Sequence, residues 1–189
     1  MQYKTIAFSG TSLTSGVPSA GWQADAINRL QVGCPSELRN FDLGAPGRTS
    51  QMGLDDVQRV VNMRPDLAVI EYAMNDALTS LDISVGTFKG NIGAIVDVIA
   101  SGSPDTIIFL MTMNPVIAPG LSLIPHVENY YQGLRDVASD KGVGLIDNYP
   151  VWGAPTSGQM LADGVHPSRS AILDVLLPNI VSSLSPFLS

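Results

Sequence analysis

Serine, histidine and aspartate occur in this chain at positions from which they could act together. Ser12 lies in Ser9-Gly10-Thr11-Ser12-Leu13, directly after the apolar run Ile6-Ala7-Phe8. The run reads as the end of a buried strand, and Gly10 permits a tight turn. A serine hydroxyl is a poor nucleophile until a base takes its proton. The histidines are His126 and His166. His166 sits in Asp163-Gly164-Val165-His166-Pro167, three residues after a carboxylate. That spacing lets Asp163 turn back onto the imidazole Nδ1, fix the tautomer and leave Nε2 for Ser12. By itself the stretch reads first as a helix start, with Asp163 the cap and His166 a solvated first-turn residue. The chemistry also needs donors for an oxyanion. Asn75 offers a side-chain amide and Gly47 a backbone N–H, although a loop asparagine also makes Asx turns and Gly47 also reads as a turn glycine after Pro46.

The elements that must position these residues alternate between strand and helix. A strand is expected at about Tyr3 to Phe8, then a Gly/Ser/Pro-rich loop from Ser9 to Gly21. A helix follows over about Trp22 to Val32, with Ala24, Ile27 and Leu30 at helical spacing. The next strand, Leu38 to Leu43, ends in the loop Gly44 to Ser50. A helix from Leu54 to Asn62 stops before Pro65. The strand Asp66 to Tyr72 is apolar on both faces, as a central parallel strand should be. The loop Ala73-Met74-Asn75-Asp76 leads to a helix over about Ser84 to Ala100. Thr106 to Thr112 is a further buried strand, Met113 to Pro125 a Pro-rich loop, and Val127 to Lys141 a helix. The last strand is Val143 to Ile146, followed by a loop from Asp147 to Asp163. The final helix starts near Pro167, and Pro178 should kink or split it.

Five such units predict an α/β fold: a three-layer α/β/α sandwich around a five-stranded, doubly wound parallel sheet, with flavodoxin-like strand order as the expectation. In such sheets ligands bind beyond the carboxyl ends of the strands. Ser12, Gly47 and Asn75 follow the first three strands, so they should meet at one edge.

The 189 residues fall within the range of one domain, taken as 1–189. The formal net charge is -7 and no basic cluster is visible, which argues against nucleic acid and an anionic membrane surface as partners. No apolar run approaches the roughly 20 residues of a membrane span. The single cysteine, Cys34, excludes an internal disulfide and reads as a helix-end residue. Met1 is followed at once by strand-like sequence, so no signal peptide is visible. The compartment stays open between the cytoplasm and an exported or viral protein. Two distant histidines and one cysteine do not make a zinc set, so no metal and no cofactor is expected.

Four stretches together resemble the SGNH hydrolases, the GDSL esterase/lipase family. Gly10-Thr11-Ser12-Leu13 is similar to its first block and Gly44 to Ser50 to its second. Ala73-Met74-Asn75-Asp76 resembles the Gly-x-Asn-Asp block, and Asp163 to Pro167 the Asp-x-x-His block. They fall in order across nearly the whole chain. Two positions depart: Thr11 stands where the family has aspartate, and Ala73 where it has glycine. The resemblance implies metal-free ester hydrolysis. Ser12 would be the nucleophile, His166 the base and Asp163 its orienting acid. The N–H groups of Ser12 and Gly47 and the Asn75 side chain would form the oxyanion hole.

Thr11, Met74, Asn114, Trp152 and Val165 are candidate pocket residues, with loop chemistry for Asn114 and edge packing for Trp152 as the plainer alternatives. His126 reads as a surface helix start, and Asp76 as a residue that caps or braces the third loop. The expected activity is a serine esterase releasing short acyl groups, such as acetyl, from a glycan or small ester. A lipase, lysophospholipase or thioesterase for longer chains is the alternative. A non-catalytic carbohydrate-binding module that kept the fold is an alternative of another class. A flavodoxin-like cofactor binder is disfavoured, because neither a Gly-x-Gly-x-x-Gly nor a P-loop follows the first strand.

Overall fold

The computed structural model describes residues 3–16 and 21–188. Residues 17–20 of the expected Ser9–Gly21 loop lie outside the described residues. Five strands form one sheet: β1 (Tyr3–Gly10), β2 (Glu37–Asp42), β3 (Leu67–Glu71), β4 (Ile107–Thr112) and β5 (Gly144–Asp147). All pairs are parallel, in the order β2-β1-β3-β4-β5. This is the flavodoxin-like order, whose reversal point lies between β1 and β3. The chain therefore leaves β1 and β3 on opposite sides of one crevice at their carboxyl ends.

β1 runs two residues further than the apolar run suggests. Ser9 and Gly10 pair with Ile70 and Glu71 of β3, so small polar residues are carried into the sheet by their partner strand. The Ser9–Gly21 loop is corrected in a second respect: it contains a one-turn helix, α1 (Ser12–Ser15), capped by the Thr11 hydroxyl and closed by Gly16 at φ 72°. A helix so short leaves no periodic trace in sequence.

The helix expected over Leu54 to Asn62 is two helices, α3 (Ser50–Asp55) and α4 (Gln58–Met63). The extra turn starts under the Thr49 hydroxyl, which accepts the Met52 N–H, and the Ser50 N–H is taken by the Asp76 carboxylate, at 3.0 and 2.9 Å to the two oxygens. Sequence periodicity does not record the carboxylate supplied from 26 residues away.

The remaining helices lie where expected, but the buried face of α2 (Trp22–Gln31) differs: it is Trp22, Ala26 and Leu30, with Ala24 exposed and Ile27 half-buried, because the Trp22 ring packs edge-on against Phe8 of β1 at 5.4 Å between centroids. α5 (Val85–Gly102) starts under the Ser84 hydroxyl cap and buries Phe88, Ile92, Ile95, Val96 and Ile99, one stripe at helical spacing. Each such side chain contributes about 1.5–3 kcal/mol of transfer free energy. α6 (Val127–Lys141) keeps its expected bounds. α3 to α6 cover one face of the sheet. The other face is covered by α2 and the C-terminal helix, which begins as α7 (Arg169–Ala171).

That last helix begins two residues after Pro167, under a Ser168 cap, because Pro167 is drawn into a bridge with Met160. It then widens into a π turn (Ile172–Leu176) before α8 (Leu177–Leu184). Proline clashes with the carbonyl four residues back. The wider turn directly before Pro178 accommodates the ring without ending the helix. The reading that no apolar run approaches a membrane span also needs correction. Arg169–Phe187 is 19 residues of helix with mean hydropathy 1.3, long and apolar enough by those measures. Here its Ile172, Leu176, Leu177, Ile180 and Leu184 face is buried in the core.

Candidate active site

Ser12 is the first residue of α1, just past the carboxyl end of β1. Its Oγ lies 2.9 Å from His166 Nε2, and His166 Nδ1 lies 2.7 Å from Asp163 Oδ2. Residues 154 apart in sequence thus form one hydrogen-bonded line.

The turn that presents His166 is built by its own backbone and by its neighbours. Asp163 Oδ1 accepts the N–H groups of Val165 and His166, at 2.8 and 2.9 Å. Asp163 is therefore both a cap and an imidazole partner, and the two readings open in the sequence coexist. Burial opposes its charge. The amides of His166 and Val165 and the imidazole outweigh that effect and hold the carboxyl below its ordinary range. Gly164 adopts φ 69°, a conformation that favours glycine, and its carbonyl accepts the Ile117 N–H at 2.9 Å. A Cβ there would also run into the Ile117 carbonyl.

The candidate donors follow the carboxyl ends of β1, β2 and β3. The backbone N–H groups of Ser12 and Gly47 have no hydrogen-bond partner among the described residues. Ala45 N–H donates to the Gly10 carbonyl at 3.1 Å, which ties the Gly47 loop to the end of β1. Asn75 Nδ2 donates one hydrogen to the Arg48 carbonyl at 2.8 Å and keeps a second. The structure thus brings Asn75 to the residue after Gly47.

Three residues that sequence reasoning did not assign hold this arrangement. Arg48 pairs with Asp56 at 2.8 Å and donates to the Met52 carbonyl at 2.7 Å, pinning the Gly47 loop onto α3. Ser50 binds Asp76 through its amide and hydroxyl and receives Asn91 Nδ2 at 3.0 Å. Asp76 does brace the third loop. Burial raises its pKa, against the Ser50 bonds that lower it. Glu71, at the end of β3, accepts the Thr11 N–H, the Thr11 hydroxyl and the Thr14 hydroxyl. One signal for Glu71 was visible: a lone charge at the end of an otherwise apolar strand.

Four expected pocket residues are corrected. Thr11 and Asn114 have no exposed surface, and Met74 and Trp152 have 2% and 5%. Thr11 caps α1 and bonds Glu71, which occupies its hydroxyl. Met74 and Trp152 belong to the buried hydrophobic core. Asn114 Nδ2 donates to the Val165 carbonyl at 2.8 Å, so it braces the His166 turn from behind. Val165 is half-buried beside Gly120. His126 is exposed at the start of α6. Among the described residues, no group of three His, Cys, Asp or Glu side chains stands where it could hold a metal ion.

A crevice at the reversal point of a parallel sheet, edged by a serine, a histidine and an aspartate in one hydrogen-bonded line, defines a hydrolase of the three-layer α/β/α class. The GDSL-like Lipase/Acylhydrolase family model matches residues 8–171, and the chain belongs to that family. It is a carboxylic ester hydrolase. Solved structures agree with it in fold. The lipase/acylhydrolase from Enterococcus faecalis superposes with TM-score 0.85 at 24% identity, over 98% of this chain and 97% of that one. TesA gives 0.80 at 23%, over 98% and 100%. A catalytic mutant of Axe2, an acetylxylan esterase from Geobacillus stearothermophilus, gives 0.79 at 17%, over 97% and 95%. No curated protein matches the chain in sequence.

Proposed function

We propose that the chain hydrolyses short-chain esters with Ser12 as nucleophile, His166 as general base and Asp163 as the acid that orients it. One observation carries this reading: Ser12 Oγ, both ring nitrogens of His166 and Asp163 Oδ2 form a continuous line with contacts of 2.9 and 2.7 Å. Asp163 accepts a hydrogen bond from Nδ1–H and keeps the proton on that nitrogen, so Nε2 is free to take the serine proton as Oγ attacks the ester carbonyl. The new Oγ–C bond pushes the carbonyl electron pair onto oxygen. The Ser12 and Gly47 N–H groups and the second Asn75 amide hydrogen then hold that oxyanion. His166 returns its proton to the departing alcohol as the C–O bond breaks. Water, deprotonated by the same nitrogen, attacks the acyl-enzyme and releases the acid and Ser12.

The likeness to an acetylxylan esterase supports acetyl on a carbohydrate as the substrate class. A second reading has a specific observation behind it. Leu121 and Leu123 are 46% and 57% exposed, on a turn that packs against Asp163 and Val165. Leu81, 46% exposed, lies on the loop joined to that turn by the Thr79 N–H to Leu123 carbonyl bond at 3.0 Å. These side chains favour a longer acyl chain.

Two measurements test both readings. A fluorophosphonate should label the purified protein at Ser12, identified by mass spectrometry, and Ser12→Ala should lose labelling and esterase activity while melting as the parent does. Full activity in Ser12→Ala would reject the nucleophile. No labelling of the parent, with no turnover, would favour the binding-module alternative. Rates on p-nitrophenyl esters of rising chain length separate the substrate classes: a maximum at acetate supports the first, a maximum at medium or long chains the second.

A further inference from the structure

The turn that carries Ser12 rests on a buried carboxylate that takes no part in the reaction as written. Glu71 is 1% exposed. Its Oε2 accepts the Thr11 N–H at 3.0 Å, the Thr11 hydroxyl at 2.8 Å and the Thr14 hydroxyl at 2.8 Å. Its Oε1 is buried without a hydrogen-bond partner among the described residues. Thr11 immediately precedes Ser12, and Thr14 follows it by two residues. Gly10 makes the approach possible. A Cβ there would overlap the Glu71 carbonyl and the Thr14 hydroxyl, and would stand 2.7 Å from Oε2. From the opposite side, Trp22 Nε1 donates to the Leu13 carbonyl at 2.9 Å and Gln23 Nε2 donates to that of Thr14. α1 is thus held at its carbonyl end by α2 and at its amide end by Glu71.

Three donors converging on one oxygen suit an anion, whose hydrogen bonds are about twice as strong as those of a neutral acceptor. A buried carboxylate without a cation is costly, and its retention calls for a reason beyond packing. We propose that Glu71 is a positioning residue for Ser12: its ionised carboxylate fixes the turn that presents the hydroxyl to His166, and protonation loosens that turn. The proposal rests on the reading of Ser12 as nucleophile.

Burial pushes the Glu71 pKa up to about 7, against the Thr11 and Thr14 bonds that lower it. The group therefore titrates where an esterase works. The titratable groups that face it are the phenols of Tyr72, the residue after β3, and Tyr131 on α6, both raised above their ordinary values by burial and both neutral in this range. A raised carboxyl pKa stabilises the fold fully below the ordinary value, and that stability is lost as pH rises through about 7. Positioning runs the other way, because only the ionised form grips the turn strongly. Between about pH 5 and 8, Ser12 reactivity should rise while the Tm contribution of Glu71 falls. A purely structural carboxyl would not tie the two together.

The test is the rate of fluorophosphonate labelling at Ser12, with Tm, for the full-length parent, Glu71→Gln and Thr14→Val across that pH range. Labelling forms the Oγ–P bond, expels fluoride and passes the serine proton to His166, so it reads the nucleophile without substrate binding. In the parent, labelling should fall as pH drops through the Glu71 protonation. Glu71→Gln should label on the order of 10- to 100-fold more slowly above neutrality, the usual loss when a reacting group is misplaced, and should lack the Glu71 step in its pH profile. Its Tm should no longer fall with pH. Thr14→Val keeps the side-chain shape, removes one donor and should move the Glu71 step of the limb to higher pH. Glu71→Gln labelling at the parent's rate with the parent's pH profile would overturn the proposal. If Glu71→Gln does not fold, Thr14→Val decides: a shifted limb supports it and a superimposed limb overturns it. Failure of the parent to label at Ser12 would instead strike the nucleophile reading.

Discussion

Asp163→Asn separates the two jobs of one side chain. Oδ1 accepts the Val165 and His166 amides at 2.8 and 2.9 Å, while Oδ2 faces His166 Nδ1 at 2.7 Å. Asparagine has one oxygen, and that oxygen should stay under the two amides, because an NH₂ group there would face two donors. The new Nδ2 then points at Nδ1, which must become an acceptor. The ring proton moves to Nε2, the atom 2.9 Å from Ser12 Oγ, and Nε2 can no longer take the serine proton. Trapping the wrong tautomer in a buried triad costs on the order of 10⁴ in kcat. Asp163 is 48% exposed, so water competes for the displaced pair. The expected loss is therefore about 10²–10⁴, or roughly 3–5 kcal/mol of transition-state stabilisation.

Stability should change little, since asparagine caps about as well as aspartate. The carboxyl is held below its ordinary range, so its contribution to stability is present above the ordinary carboxylate pKa and lost only as pH falls through the lowered one. A comparison near neutral pH is free of that titration. The assay is kcat on p-nitrophenyl acetate for parent and variant, beside a thermal melt of each. Near-parent kcat with an unchanged melt would reduce Asp163 to a cap and leave Ser12 and His166 as a dyad. A collapsed melt would mean that the cap, not the tautomer, had been lost.

Two further substitutions probe the rest of the site. Asn75→Ala should lower kcat by about 10²–10³, the usual loss for one oxyanion donor, with a smaller effect on KM; a raised KM at constant kcat would make Asn75 a substrate-binding residue. Gly164→Ala forces a Cβ towards the Ile117 carbonyl at φ 69° and should cost at least about 1–3 kcal/mol in a denaturant melt as well as activity, since the strained residue carries the His166 turn; an unchanged melt would show that the turn yields freely.

Loops from both ends of the chain meet at the site through buried polar contacts. Asp76 reaches Ser50, Glu71 reaches Thr11 and Thr14, and Asn114 reaches the Val165 carbonyl. Each is a side chain near the end of one strand that satisfies the loop after another. Such contacts tie the loops after β1, β2 and β3 to one another, the fixed geometry that a preorganised site needs.

Much of this was legible in the chain itself because it is local. The apolar runs Leu67-Ala68-Val69-Ile70 and Ile107-Ile108-Phe109-Leu110 mark strands buried on both faces, and α5 and α6 show their stripes at helical spacing. Asp163 and His166 are three residues apart, so their pairing is a property of one turn. Repeated βα units place Ser12, Gly47 and Asn75 at one sheet edge whatever the strand order. Tertiary structure alone decided what depends on distant partners. The order β2-β1-β3-β4-β5 fixes which two strands flank the crevice, and no local pattern encodes it. α1 is too short for periodicity, and the first turn of α3, capped by Thr49, is held by a carboxylate on another loop. Thr11, Met74, Asn114 and Trp152 looked like pocket walls because they follow strand ends, yet the fold buries them. Glu71 drew no role from the sequence, and only the fold brings Thr11 and Thr14 onto its Oε2. Local propensity acts over a few residues, whereas burial and hydrogen-bond satisfaction are settled between segments that meet only when the sheet closes.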